Sequence, residues 1–429
     1  MIRAALKIEI INTGSELILG NVLNTHQAWL GREFARLGRP ITRQVLVADT
    51  GPDIQAAVRE ALARADLILT TGGLGPTSDD LTRDLIAELL GRKLVENVEV
   101  LRAIEKFFID RHRTMTSRSR RQAQVPEGAI VLPNQFGTAP GLAIEIAPNP
   151  FRDGGTASLL VMLPGPPREL RPMFANQVLP LVEKFFPAAG EFASVILKTT
   201  GLGESLVEEK VAAPLAALVE RGLEIGYCAR VGEVEIRLSA AGAGARFTVE
   251  AAEKLVREKI GTDIFGIGDD TLESSIIHLC RHARKTVTTA ESCTGGLICH
   301  RLTNVPGASE VLLSGIVSYS NAAKEKLLNV RADTIQNFGA VSAETAREMA
   351  EGARASSGAD FAVAVTGIAG PSGGTPAKPV GTVFIALGSR QETIVQHHVN
   401  SYDRETFKFV TSQQALNLLR QKLLARAPE

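Results

Sequence analysis

The stretch LILTTGGLGPTSDDLT, residues 67–82, reads as a buried strand, a glycine-rich turn and the start of a helix. Leu67 to Thr70 is a short apolar run, and helical spacing begins at Thr82 and runs to Leu90. Glycines let a phosphate come close to the backbone, and the first turn of a helix offers N–H groups without partners. Asp79 or Asp80 is placed to hold a divalent cation against a diphosphate, because Mg²⁺ prefers carboxylate oxygen. A capped helix would account for one aspartate and one glycine, but not for four special residues in sequence. The expectation is therefore a phosphate-ester site, with Gly72, Gly73 and Gly75 at the phosphate. The pattern is neither a P-loop nor GxGxxG.

Working outward, strand and helix signals alternate. Lys7 to Asn12, Ile41 to Ala48 and Ser158 to Leu163 read as strands; Gln27 to Leu37 and Asp53 to Arg64 have helical spacing. Pro164-Gly165-Pro166-Pro167 suits a turn feeding a helix at Glu169. This order implies βαβ units around a parallel sheet. Open α/β sheets bind ligands beyond the carboxyl ends of their strands. Glu16, in Gly14-Ser15-Glu16, and Asp49, at the end of the second strand, are thus further walls of the same pocket. Asp49 joins Asp79 and Asp80 as a candidate metal carboxylate.

The middle has a different rhythm. Ser194 to Thr199 and the alternating Val234 to Ser239 read as strands, Gly203 to Leu218 and Phe247 to Lys259 as helices. Ala240 to Ala245 reads as a flexible turn, and Gly261 to Asp270 as a Gly/Asp-rich linker. From there the α/β rhythm resumes. Helix 272–283, strand 285–289, strand Leu312 to Tyr319, helix 321–328 and helix Ala343 to Ser356 follow in turn. Strands Phe361 to Val365 and Gly381 to Leu387 and a helix from Thr406 to Arg426 close the chain. Three domains are expected, at 1–175, 176–262 and 263–429.

A second chemical site belongs to the last of them. Ala290-Glu291-Ser292-Cys293-Thr294-Gly295-Gly296 lies between a β-branched run and a helical stretch, and Ser318-Tyr319-Ser320-Asn321-Ala322-Ala323-Lys324 follows downstream. A hydroxyl on a strand-to-helix turn has backbone N–H groups beside it that can hold an oxyanion. No histidine is well placed as its base; His300 lies about 12 Å of helical rise further on. Lys324 can replace it, provided its pKa falls from ~10.4 to about 7 through burial or a cationic neighbour. The pairing makes Ser292 a nucleophile, Lys324 its base and Tyr319 an assisting hydroxyl, in an amidohydrolase. Thr294, Gly295, Gly296 and Asn321 are expected to bind substrate, with Thr366 and Gly367 supplying N–H groups from a third strand-end loop. Each of these residues read singly is an N-cap, a core aromatic or a solvated lysine; the two blocks together favour catalysis.

Composition bounds the rest. The 429 residues are 45% hydrophobic and 22% charged, so the chain is globular with material for several cores. Lys+Arg and Asp+Glu are 47 each, and zero net charge argues against nucleic acid or a membrane surface as partner. RHRTMTSRSRR, residues 111–121, is a local basic patch read as a solvated face, with phosphate binding as the lesser alternative. His278 and His282 are spaced to share a metal, but without a third ligand they read as a surface or partly buried pair. Four cysteines without CxxC spacing read as reduced thiols of a cytoplasmic protein. MIRAALKIEIIN is broken by Lys7 and Glu9 and makes a poor signal peptide. No apolar run approaches the ~18 residues of a membrane helix.

Several blocks in one order carry a resemblance over essentially the whole chain: GSELILG (14–20), TGGLGPTSDDLT (71–82), SRSRRQAQVPEGAIVLPNQFGTAPG (117–141), LPGPPREL (163–170), AESCTGG (290–296), SYSNAAKEKLLNV (318–330), TGIAGPSGG (366–374) and KPVGTVFIA (378–386). In these the chain resembles the CinA family of competence/damage-inducible proteins. The resemblance implies an α/β protein in three parts. The first is a molybdopterin-binding-like three-layer parallel sheet with ADP-ribose pyrophosphatase activity. It needs a divalent metal (Mg, Co or Mn), with K⁺ as helper, and Asp80 falls at a functional aspartate of the molybdopterin relatives. The second is a KH-like α+β module. The third is a nicotinamide-nucleotide amidohydrolase domain, converting nicotinamide mononucleotide (NMN) and water to nicotinate mononucleotide and ammonia without a cofactor. By that analogy Ser292 is the nucleophile, Lys324 its base and Tyr319 a supporting hydroxyl.

The implied setting is pyridine-nucleotide salvage, with NMN and ADP-ribose as substrates and a homodimer as assembly. The chain departs from the family with Asn24-Thr25-His26 for Asp-Thr-Asn and with Ser401-Tyr402-Asp403-Arg404 for Phe-x-Gly-Asp-Arg. The middle module lacks a clear GxxG loop with basic flanks, so RNA binding does not follow from its fold. The rival readings are a nucleotide-binding module of DNA uptake, which would not turn over NMN, and a pterin-binding or adenylylating protein, which would prefer molybdopterin to ADP-ribose.

Overall fold

A computed structural model describes residues 6–188 and 190–425. The first five residues of the expected poor signal peptide, and Arg426 at the expected end of the last helix, lie outside the described residues. The chain forms two compact units, one reaching Phe192 and including Ala241–Ala243, the other holding Ala193–Ala240 and everything from Gly244.

In the first unit β1 (Ile8–Thr13), α1 (Thr25–Arg36), β2 (Arg43–Val47), α2 (Gly51–Leu62), β3 (Leu67–Thr71), α3 (Thr82–Leu89) and α4 (Val98–Ile109) come first. Then follow β4 (Ile130–Leu132), β5 (Gly141–Ile146), β6 (Ser158–Leu163) and α5 (Pro167–Met173). The sheet order is β2-β1-β3-β6-β5-β4. β2, β1, β3 and β6 are parallel, with Ile10 opposite Leu69 and Leu69 opposite Val161. β5 and β4 add antiparallel at one edge, so the expected parallel sheet is mixed there. β1, β3 and β6 are buried along their whole length, as strands covered on both faces must be. Ile10, Leu69 and Val161 pack with Phe34 and Phe174 on one side; Ile11, Ile68 and Leu160 pack with Ile54, Val58 and Ile86 on the other. These are the three layers.

The second unit begins with β7 (Phe192–Thr200), α6 (Glu204–Val219), β8 (Glu224–Arg230), β9 (Glu233–Ala241), α7 (Ala245–Ile260) and β10 (Ile264–Ile267). Its sheet runs β8-β9-β7-β10, and α6 and α7 bury Val207, Val211, Val249 and Val256 against Ile236 and Leu238. β10 falls inside the expected linker. Phe265 is buried, Ile264 pairs with Thr199, and the Asp270 carboxylate accepts the Ile267 N–H at 2.9 Å. The Gly/Asp flanks hide a four-residue strand rather than a free connection.

α8 (Leu272–Ala283), β11 (Val287–Glu291), α9 (Leu297–Thr303), β12 (Leu312–Val317), α10 (Asn321–Leu328) and α11 (Ala343–Ser357) follow. β13 (Phe361–Gly367), β14 (Thr382–Gly388), β15 (Thr393–Val399) and α12 (Arg404–Leu424) complete the unit. The order is β12-β11-β13-β14-β15, parallel across the first three and antiparallel at the last two. α12 supplies Leu416 and Leu419 to one core, and α11 supplies Met349 and Ala353 to the other.

α12 also grips the middle module. Buried Arg420 donates to the carbonyls of Thr262 at 2.5 Å and Ile264 at 3.3 Å. Arg301 of α9 donates to Gln413 at 2.6 Å, and Gln413 donates to Glu233 of β9 at 2.8 Å. Arg420→Met strands those carbonyls while keeping most of the volume. It should cost about 3 kcal/mol, read as a lower urea midpoint for the second unit.

Candidate functional site

Two clefts collect the expected residues, and each lies beyond strand carboxyl ends. In the second unit β11 ends at Glu291 and β13 continues past Val365. The Ser292 N–H donates to the Val365 carbonyl at 3.0 Å, and the Ser318 N–H to the Glu291 carbonyl at 2.8 Å. These bonds carry the parallel ladders one residue beyond the strands and bring the two motif blocks side by side. Ser320 caps α10 by accepting the Ala323 N–H, which starts the helix that carries Lys324 inward.

The result is a buried amine against a buried hydroxyl. Lys324 is 1% exposed and Ser292 8%. Lys324 Nζ lies 3.1 Å from Ser292 Oγ, 2.9 Å from the Ser318 carbonyl and 3.4 Å from the Tyr319 carbonyl. None of these three partners is an anion. A neutral amine has two N–H groups and one lone pair. The two carbonyls can accept only N–H, so in the neutral form the lone pair is left for the Ser292 O–H. Burial pushes the Lys324 pKa down, opposed by the neighbouring Cys293 thiol. Burial pushes the Cys293 thiol itself up to about 12, so the cysteine beside Ser292 is a thiol, not a competing thiolate.

A cleft of about 210 Å³ opens on this pair. Its lining includes Ser292, Tyr319, Asn321, Lys324, Thr366 and Gly367, all expected, together with Cys293 and Arg404. Thr366 Oγ1 donates to the Ala340 carbonyl at 2.7 Å and ties down one wall. Tyr319 is 64% exposed, and its hydroxyl accepts from Arg404 Nη2 at 3.0 Å. The backbone carbonyl of Tyr319, not its hydroxyl, faces Lys324; the phenol stands at the pocket mouth. Arg404 Nη1 donates to the Gly370 carbonyl at 2.8 Å, so the guanidinium is held at that mouth from two sides.

Thr294, Gly295 and Gly296 are not in this lining. The reason is Glu291, which sequence reasoning passed over. Its carboxylate is buried and accepts from Thr294 Oγ1 at 2.7 Å, the N–H groups of Gly296 and Ile298 at 3.0 Å each, Cys299 N–H at 2.9 Å and Thr289 Oγ1 at 3.3 Å. Thr294 and Gly296 serve that carboxylate behind Ser292. Gly296, at φ 96°, makes the turn a side chain would strain. The amino end of α9 is thus occupied from within.

The first unit carries a larger cleft of about 700 Å³. Glu16, Asp49, Gly72, Gly73, Gly75, Asp79 and Asp80 all line it, with Asn24, His26, Phe107 and Glu169. The Asp80 carboxylate accepts the Thr77 N–H at 2.9 Å and the Thr77 hydroxyl, folding the loop on itself. A Cβ at position 75 would sit 2.3 Å from Asp80 Oδ2, so a side chain there would have to push the Asp80 carboxylate off its place in the loop. Asp49 accepts the Ser15 N–H at 2.9 Å. Asn24 caps α1 by accepting the Gln27 N–H at 3.1 Å. His26 Nε2 donates to the Gly165 carbonyl, and burial lowers its pKa.

Among the described residues no three His, Cys, Asp or Glu side chains converge as a ready-made metal cage. One or two carboxylates fit a divalent cation only when phosphate oxygens complete its shell, which is how Mg²⁺ is usually held. His278 and His282 are exposed on α8. In the basic stretch Arg120 pairs with Glu96 at 2.9 Å, Arg121 with Asp84, and Arg111 stacks on Phe107. Among the described residues, no helix is long and apolar enough to cross a membrane.

Comparison with known proteins covers the chain in three blocks. Residues 9–184 match the probable molybdopterin binding domain, 194–266 the damage-inducible protein CinA KH domain, and 269–423 the CinA C-terminal domain. A CinA-like protein of Kosmotoga olearia is 42% identical over 98% of this chain and 99% of its own length. A CinA-like protein of Dictyoglomus turgidum is 39% identical over 98% and 100%. Among solved structures, a competence/damage inducible protein from Agrobacterium tumefaciens is 45% identical over 36% of this chain and 93% of its own, with a TM-score of 0.34. With matches of this extent along its length, the chain belongs to the CinA family of competence/damage-inducible proteins.

Proposed function

We propose that the second unit is an amidase acting on the carboxamide of NMN, within pyridine-nucleotide salvage. The observation that carries this is the 3.1 Å approach of an amine with no anionic partner to the Ser292 hydroxyl. Lys324 Nζ accepts the Ser292 proton as Oγ bonds to the amide carbon. The tetrahedral oxyanion collapses, the C–N bond breaks, and the Lys324 ammonium returns the proton to the departing nitrogen. Ammonia leaves and a nicotinate ester remains on Ser292. Water then attacks that ester, giving its proton to Lys324, and Oγ leaves with the proton handed back. The products are nicotinate mononucleotide and ammonia, with no cofactor. Arg404 at the mouth offers a charge-assisted grip for the nucleotide phosphate.

The test is ammonia release from NMN and its pH dependence. The base form of Lys324 is the neutral amine, so kcat/KM should rise as pH climbs through its lowered pKa. It should level off before 10.5, the ordinary value for lysine. A profile still climbing at that pH would remove Lys324 as the base, and no ammonia at any pH would remove the activity.

The first unit, in this reading, cleaves the diphosphate of ADP-ribose to AMP and ribose 5-phosphate. Asp79 and Asp80 would hold a divalent cation (Mg²⁺, Co²⁺ or Mn²⁺) together with the substrate's phosphate oxygens, with K⁺ as helper; Asp49, expected as a third carboxylate, lines the same cleft but does not converge with them as a cage. Bound there it would neutralise phosphate charge. The Gly72–Gly75 turn binds and orients the phosphates, and a homodimer remains the expected assembly. The competence/damage names of the relatives favour a second reading, a nucleotide- or pterin-binding protein linked to DNA uptake. That reading has no use for the amine against Ser292.

A further inference from the structure

The N–H groups around Ser292 are already divided among partners. The Ser292 N–H goes to Val365, the Gly295 N–H to the Ser292 carbonyl at 3.2 Å, and the Leu297 N–H to the Thr294 carbonyl at 3.3 Å. Those of Gly296, Ile298 and Cys299 go to the Glu291 carboxylate. Between 292 and 299 this leaves Cys293 and Thr294, whose N–H groups lean toward the Cys293 sulfur, a weak acceptor. Of these two residues, only Cys293 lines the cleft.

A helix amino end ordinarily attracts an anion, and this one lies next to a nucleophile that must generate one. Here the anion is built in. A substrate oxyanion placed on α9 would meet a buried carboxylate of like charge and find the donors taken.

We infer that Glu291 is a positioning residue of the amidase site, fixing the 292–299 turn so that the Cys293 N–H, not the amino end of α9, receives the oxyanion. The inference rests on the amidase reading. It explains why a buried acid directly precedes the nucleophile without touching Lys324. The carboxylate acts through the backbone, fixing the turn that carries the Cys293 N–H beside the cleft where the oxyanion would form. Thr294 contributes by locking the carboxylate from the side.

The experiment compares Glu291→Gln with wild type on NMN. Glutamine keeps the shape but sets an amide NH₂ against N–H donors. The expected result is a kcat reduced about 100-fold or more, the scale for losing an oxyanion donor, with KM within twofold. Affinity for the 3-aldehyde analogue of NMN, which adds to Ser292 as a tetrahedral adduct, should fall by the same factor. Affinity for nicotinate mononucleotide should hold. A purely structural role would lower thermal stability and leave kcat unchanged below the melting range. A Glu291→Gln kcat within threefold of wild type overturns the inference. Should that variant fail to fold, Thr294→Val removes one donor from the carboxylate. Its kcat should fall about tenfold and Thr294→Ser should restore it; equal rates for the two overturn the inference. Absence of ammonia from wild type overturns the amidase reading itself, a distinct outcome.

Discussion

Ser292→Ala should release no measurable ammonia from NMN, and Lys324→Met should lower kcat by about 10⁴. The two losses should not add in the double variant, because nucleophile and base work as one unit. The reasoning is geometric. Lys324 is buried, its other contacts are carbonyls, and its one hydroxyl partner is Ser292. Methionine fills the same channel without a base. Arginine in its place would keep a charge and still fail, since guanidinium does not release its proton at working pH. Cys293 cannot rescue Ser292→Ala, because burial holds its thiol pKa at about 12. Substantial ammonia from either single variant would dissolve the assignment.

Asp80→Ala should cut AMP release from ADP-ribose at least 100-fold while leaving ammonia release from NMN unchanged. A chelator should do the same to the wild type. Asp80 has two tasks in the structure: it lines the larger cleft and closes its own loop through Thr77. Thr77→Val separates them, since it weakens the loop closure and keeps the carboxylate. If the closure alone mattered, Thr77→Val would lose a large part of what Asp80→Ala loses, and Mg²⁺ would rescue neither. If the carboxylate meets a cation, Asp80→Ala should be far worse, and added Mg²⁺ should rescue only Thr77→Val. AMP production indifferent to chelator and to Asp80→Ala would clear this cleft of diphosphate chemistry.

Much of this arrangement is legible in the amino-acid sequence. The runs at Ile8–Thr13, Leu67–Thr71 and Ser158–Leu163 are apolar without alternation, because helices cover both faces of the sheet. α10 spans 321–328 as the Ser320 cap signals. Gly141–Ile146 and Glu224–Arg230 gave no clear strand signal, since glycine and edge polarity dilute their patterns. Ser292 and Lys324 were readable because each lies a few residues past a strand end. Arg404 stood out only within the Ser401–Arg404 block set against the family pattern; alone, opening a helix far along the chain, it resembles any solvated first-turn residue. Glu291 hid for the opposite reason. A single acid closing a strand looks exposed, and only the folded turn shows its five donors.

α12 is 21 residues long, and its two ends have different company. Arg404 stands at the mouth of the cleft that holds Ser292, while Arg420 is clamped to the strand that ends the middle module. The span between them is about 24 Å at 1.5 Å per residue. Between them Leu416 and Leu419 are buried in the core. One continuous helix thus carries both a wall of the cleft that holds Ser292 and the side chain that closes the backbone of the middle module.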